Sequence, residues 1–169
     1  SRDDDKIAWY ENNGSHAVQR PIFVSHEVST SADGANSVYP ADVDGDGDMD
    51  VLSSSSNDDK IAWYENDGSE SFTEHAISTS ADGATFVYAA DVDGDGDMDV
   101  LSASRDDDKI AWYENDGSES FTEHAISTSA DFVLFVYAAD LHGVGAIDVL
   151  SPSRDDEKVP WYGQEGRPS

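Results

Sequence analysis

The chain contains no cysteine, only 9 basic residues in 169, and no apolar run that approaches membrane-spanning length. Without thiols there is no disulfide framework, no thiolate metal site and no cysteine nucleophile. The 9 bases face 37 acids, giving a formal net charge of −28 and an isoelectric point near 4.1. Nucleic acids and anionic membrane surfaces both require a positive footprint, so neither is expected as a partner, and no membrane insertion is expected. No segment sustains a helical period, and no glycine-rich phosphate loop or serine elbow is present. The N-terminus does not read as a signal segment; Ser1 opens in mid-repeat, as expected of a mature product, a fragment or an excised piece. At this length one ordinary domain with a core is expected.

What the chain does have is repetition. Ile-Ala-Trp-Tyr-Glu-Asn stands at 7–12, 61–66 and 110–115, with a worn copy at Val159-Pro160-Trp161-Tyr162, at spacings of 54, 49 and 49 residues. An aspartate loop begins at Asp42, Asp91 and Asp140, again 49 apart. A period near 50 built from short β-like segments indicates a propeller or β-solenoid, because helical repeats are shorter and amphipathic. Each unit reads as four strands. In the clearest copy these are Phe86 to Ala90, Val100 to Ser104, Lys109 to Glu114 and Phe121 to Ile126, separated by Asp, Gly, Asn and Ser clusters. The expected fold is all-β, with β-propeller blades of four antiparallel strands.

The units divide the chain as one repeat domain. Residues 1–34 supply the third and fourth strands of a split blade, 35–83 and 84–132 are whole blades, and 133–169 supply the first three strands of a split, degenerate blade. About three blades cannot close a ring, and an open arc leaves strand edges in water. A second copy of the chain is therefore the expected partner, completing a six-bladed ring as a two-fold homodimer. The same ends also fit a piece of a longer single-chain propeller.

The loop Asp42-Val43-Asp44-Gly45-Asp46-Gly47-Asp48-Met49-Asp50 recurs at Asp91 to Asp99. Carboxylates on alternate positions repel one another unless a cation sits among them, and oxygen-only ligands on a glycine-tightened turn suit Ca²⁺. An EF-hand is excluded, because its bidentate Glu position holds Ser53 and Ser102 and the flanks read as strands. With its flanking strands, this loop resembles the FG-GAP or VCBS repeat of integrin α-subunit propellers and many bacterial surface proteins and lectins. The resemblance covers essentially the whole chain. It implies side-chain ligands at loop positions one, three, five and nine and a backbone carbonyl from position seven. The implied sites are Asp42, Asp44, Asp46, Asp48 (carbonyl) and Asp50, then Asp91, Asp93, Asp95, Asp97 (carbonyl) and Asp99. The third copy, Asp140 to Asp148, puts His142 and Val144 where carboxylates should stand, and no calcium is expected there.

Other candidates are weighed against simpler roles. The Trp-Tyr pairs at 9–10, 63–64, 112–113 and 161–162 offer a sugar platform, but strand alternation favours packing between blades. His26, His75 and His124 recur at equivalent places, which favours packing or hydrogen bonding over catalysis. The rim opposite the aspartate loops carries Arg105, Asp107, Lys109, Asp82 and Asp131, candidates for a polar ligand face, although a solvated tight turn with an internal salt bridge is the favoured reading of these residues. Pro160, in a third strand, marks an edge, and residues 153–169 are expected to add little to the ring. The function expected is a calcium-stabilised binding module for glycan or protein ligands, extracellular or at a cell surface, and not an enzyme. A polysaccharide lyase or hydrolase on a propeller scaffold, or a ligand-free assembly array, are the alternatives. A catalyst requires one non-repeated cluster, for which only the insertion Gly14 to Pro21 and the aberrant Asp131-Phe132-Val133-Leu134 are available.

Overall fold

A computed structural model describes residues 5–12, 23–155 and 157–164; the insertion Gly14 to Pro21 lies outside them. Among the described residues, all of the regular structure is antiparallel β. The strands are β1 (Ile7–Asn12), β2 (Phe23–Ser29), β3 (Ala35–Ala41), β4 (Asp50–Ser55), β5 (Lys60–Asn66), β6 (Phe72–Ser78) and β7 (Ala84–Ala90). They continue as β8 (Asp99–Ser104), β9 (Lys109–Asn115), β10 (Phe121–Ser127), β11 (Tyr137–Ala139), β12 (Asp148–Leu150) and β13 (Trp161–Tyr162). β3-β4-β5-β6 and β7-β8-β9-β10 are complete four-stranded meanders, flanked by the two-stranded β1-β2 and the three-stranded β11-β12-β13. This is the sheet of a propeller blade, repeated.

Register is preserved along with sequence. Val51 faces Tyr64 across β4 and β5, and Val100 faces Tyr113 across β8 and β9. A bulge falls at the same place in each first strand, between Ala35 and Ser37 and between Ala84 and Phe86. Side chains alternate between the two faces of a strand, so each Trp-Tyr pair divides between two layers. Trp63 enters the layer that joins the two complete sheets, with Val43, Leu52, Val87, Val100 and Tyr113. Tyr64 enters the opposite layer with Ile7, Ala32 and Ala62. The aromatic pairs at 63–64 and 112–113 are thus blade packing. Each fully buried ring removes about 150–250 Å² from water, worth roughly 4–6 kcal/mol at about 25 cal/mol per Å². The central strand β8 is buried along its whole length, with small serines allowing close approach; Ser102 Oγ lies 3.4 Å from the Tyr113 hydroxyl.

Within the single chain, residues 157–164 complete the last sheet. β13 occupies the third-strand position beside β12 in the usual register, Val149 opposite Tyr162 and Leu150 opposite Trp161. Tyr162 packs on the layer formed by Val92, Leu101 and Val149. The Gln164 amide donates to the Val92 carbonyl at 2.6 Å, as Asn115 donates to the Val43 carbonyl at 3.0 Å one blade earlier. Pro160 interrupts the strand without abolishing it: it has no N–H to donate, its carbonyl accepts from Ser151 N at 3.2 Å, and pairing resumes where Ser153 N donates to the Lys158 carbonyl at 3.0 Å.

Candidate metal centres

The two aspartate loops link first strand to second in each complete sheet. Gly45 and Gly47 have φ of 77° and 97°, and Gly94 and Gly96 have φ of 76° and 104°. Only glycine takes these values cheaply, which explains its alternation with aspartate. The aspartates turn the chain by accepting hydrogen bonds two residues ahead. Asp44 Oδ1 accepts from Asp46 N at 3.1 Å and Asp46 Oδ1 from Asp48 N at 2.8 Å; Asp93 and Asp95 do likewise at 3.1 and 2.9 Å.

The ninth aspartate anchors each loop. Asp99 is buried; its Oδ2 accepts from Val92 N at 2.8 Å and its Oδ1 from Asn115 N at 2.8 Å, at the end of β9. Asp50 makes the same bonds to Val43 N and Asn66 N at 2.9 and 2.8 Å. The asparagine closing the third strand then clamps the loop, Asn66 Nδ2 to Met49 O at 3.1 Å and Asn115 Nδ2 to Met98 O at 3.2 Å. These two asparagines were missed as site residues, although their place after Trp-Tyr-Glu in both complete blades was a signal.

Asp42, Asp44 and Asp50 converge, as do Asp91, Asp93 and Asp99, with one carboxylate oxygen from each member of a triad lying within 4.8 Å of the others. Asp46 and Asp95 stand outside these triads. The Asp48 and Asp97 side chains lean onto the next hairpin, where a Cβ at Gly68 or Gly117 would lie 2.5 Å from a carboxylate oxygen. Burial pushes the Asp44 carboxyl above the ordinary aspartate range, and the charges of Asp50, Asp46 and Asp42 add to the shift. Asp93 is raised in the same way by burial and by Asp95, Glu114 and Asp91, and Asp99 chiefly by burial. A buried oxygen, Asp42 Oδ1, has no hydrogen-bond partner among the described residues. Crowded, partly desolvated carboxylates with a spare buried oxygen fit a hard divalent cation.

The third loop is organised by its own groups. Asp140 accepts from Gly143 N and Gly145 N at 2.7 and 2.8 Å, and such backbone bonds hold its carboxyl below the ordinary range. His142 takes the place of the third-position carboxylate, its Nδ1 lying 2.9 Å from Asp148 Oδ2.

The opposite rim is largely sewn to itself. Lys109 Nζ lies 3.1 Å from Glu123 and 3.3 Å from Asp107, and Lys60 repeats the arrangement with Glu74 and Asp58 at 2.8 and 3.2 Å. Arg105 forms a two-pronged bond to Asp106 at 2.6 and 2.7 Å. Asp82 and Asp131 are exposed. Phe132, passed over in the sequence as part of an aberrant stretch, lies under two guanidinium groups, 5.6 Å from Arg105 and 4.9 Å from Arg154. The histidines pack as expected of repeated residues. His26, His75 and His124 stack on Trp9, Trp63 and Trp112 at 4.3, 4.6 and 4.7 Å, and the latter two bond Glu65 and Glu114 at 2.8 and 2.7 Å.

Successive blade-like sheets, each with an acidic, glycine-bearing loop between its first and second strands, define a class, the repeat proteins of propeller type. The profile of the FG-GAP-like repeat matches residues 1–53, 42–102 and 91–151, and the chain belongs to that family. No curated protein matches it.

Proposed function

We propose that the chain is a calcium-stabilised binding module that works outside the cytosol. Each complete loop holds one Ca²⁺, through Asp42, Asp44 and Asp50 in the first and Asp91, Asp93 and Asp99 in the second. The convergence of three carboxylates in each loop carries this reading. Asp46, Asp95 and the carbonyls of Asp48 and Asp97 complete the shells by small adjustments of the loop. The ion has a structural role: it neutralises the loop and fixes the turn, so binding energy becomes folding energy. Extracellular calcium modules bind with dissociation constants of about 10⁻⁴–10⁻³ M, which suits a calcium-rich medium. The ligand, glycan or protein, meets the opposite rim, where Asp82, Asp131 and the Arg105–Phe132–Arg154 stack offer charge and an aromatic surface. The module binds and does not catalyse; His75 and His124 are occupied by ring stacking and glutamate.

Calorimetric titration with CaCl₂ tests the metal: two ions per chain are expected, and one for Asp93→Asn. No saturable heat, together with no rise in melting temperature at millimolar calcium, overturns it. Screening calcium-loaded protein against immobilised glycans tests the ligand class, with loss of binding expected for Asp82→Asn/Asp131→Asn.

A further inference from the structure

The complete sheets bury the same residue types at every internal interface, which makes the exceptions at the two ends informative. Val87 and Val136 are 0% exposed against the preceding sheet, whereas their counterpart Val38 is 54% exposed. Tyr64 and Tyr113 are 1% exposed, whereas Tyr10, at the same place in the same hexapeptide, is 59% exposed. At the far end Trp161 is 52% exposed although its counterpart Trp63 is 1%. The ends also carry opposite halves of a blade. β1-β2 are a third and fourth strand, while β11-β12 are a first and second.

We propose that a second copy of this chain completes both halves by strand exchange, and that β13 is a placeholder displaced when it does so. β11-β12 of one copy join β1-β2 of the other as one four-stranded blade, and a two-fold axis repeats the exchange at the second seam. The internal interfaces supply the template. The partner's Tyr137 covers Val38, as Tyr39 and Leu52 share a layer with Val87. The partner's Tyr10 stands opposite Val149, as Tyr64 stands opposite Val51 and Tyr113 opposite Val100. β13 and the segment before it hold that place within the single chain by two residue pairs and one separate bridge, Ser153 to Lys158, against five consecutive pairs where β5 meets β4. Its ladder is interrupted at Pro160 and resumes only as the single bridge between Ser153 and Lys158, whereas β1 is a six-residue strand without proline. A short, proline-limited strand therefore competes with a longer one of matching sequence, and exchange exposes no new edge.

The chain has no cysteine, so introduced thiols report this geometry directly. Light scattering of the unaltered protein in calcium is expected to give about twice 18.2 kDa, and Val38→Asp is expected to lower the dimer fraction at least tenfold. Mixing Tyr10→Cys with Val149→Cys under mild oxidation is expected to give a cross-linked pair far faster than either variant alone. The double variant Val149→Cys/Tyr162→Cys locks β13 in place, and is expected to be monomeric when oxidised and dimeric after reductant. An unaltered chain that stays at 18.2 kDa at all concentrations, or grows into open polymers, overturns the proposal. A locked variant that dimerises equally well in both redox states does so too. Calcium stoichiometry is read separately by titration, so failure here leaves the metal reading standing and the reverse also holds.

Discussion

Replacing Asp93 by Asn separates the two demands that the second loop makes on that residue. The substitution keeps Oδ1 as an acceptor for Asp95 N, a bond of 3.1 Å that shapes the turn. It removes one charge from a triad in which burial and the charges of Asp95, Glu114 and Asp91 already push the Asp93 carboxyl upward. In chelator the variant should therefore be as stable as the parent or slightly more so, since a repulsion has gone and no hydrogen bond is lost. In calcium it should lose one site. At free calcium about 100 times the dissociation constant, one site contributes about 2.7 kcal/mol. For a chain of this size roughly 2–4 °C accompanies each kcal/mol, so melting should fall by about 5–10 °C. Thermal unfolding followed by circular dichroism, in 10 mM CaCl₂ and in EGTA, reads both numbers on the same protein. Equal destabilisation in the two buffers would refute the reasoning, because it would show Asp93 acting through protein contacts alone.

Three further outcomes follow from the same geometry. Asp95→Ala should cost less calcium-dependent stability than Asp93→Asn, because Asp95 lies outside the close triad; paired melts in calcium and EGTA decide this. The pH dependence should change sign with metal. Asp44, Asp93 and Asp99 are all raised above the ordinary aspartate value of 3.8. In metal-free protein the folded state thus holds these protons more tightly than the unfolded chain does. Their contribution is fully present below about pH 3.8 and is lost as pH rises through the raised values. Calcium competes with those protons, so the calcium-induced rise in melting temperature should shrink as pH falls from 7 towards that window, and an increment independent of pH contradicts the assignment. Asn115→Ala should destabilise by about 1–3 kcal/mol in urea unfolding, since the buried Val43 carbonyl loses its 3.0 Å donor. Asn66→Ala, which removes a donor to the more exposed Met49 carbonyl, should cost less.

The fold was legible because repetition lets each unit confirm the others. The strand pattern between Ala84 and Ser127 recurs with the same register between Ala35 and Ser78. The acidic loops were legible in composition and spacing, but which carboxylates converge was not. Neighbouring backbone N–H groups decide where each carboxylate turns, and Asp46 accepts from Asp48 N while remaining outside the triad. The missing donor at Pro160 is visible in sequence, whereas the packing of Tyr162 and the Gln164 bond to Val92 are not. Phe132 carried a signal that was available. It stands where the other copies have Gly34 and Gly83 and keeps their positive φ, 53° against 70° and 63°. A left-handed conformation costs a non-glycine residue roughly 1–2 kcal/mol.

That cost makes Phe132 the sharpest question on the rim. Its ring gains cation–π contact with Arg105 and Arg154, worth about 0.5–1 kcal/mol each where side chains are exposed. Gain and strain nearly cancel, so Phe132→Gly should change unfolding free energy by less than about 1 kcal/mol in either direction. Stability alone then gives no reason for an aromatic ring at this corner. If the rim meets ligand there, Phe132→Gly should weaken binding while its melting temperature stays within a few degrees of the parent. Destabilisation beyond 2 kcal/mol would instead make Phe132 a structural brace between Arg105 and Arg154, and would remove the aromatic surface from the proposed ligand face.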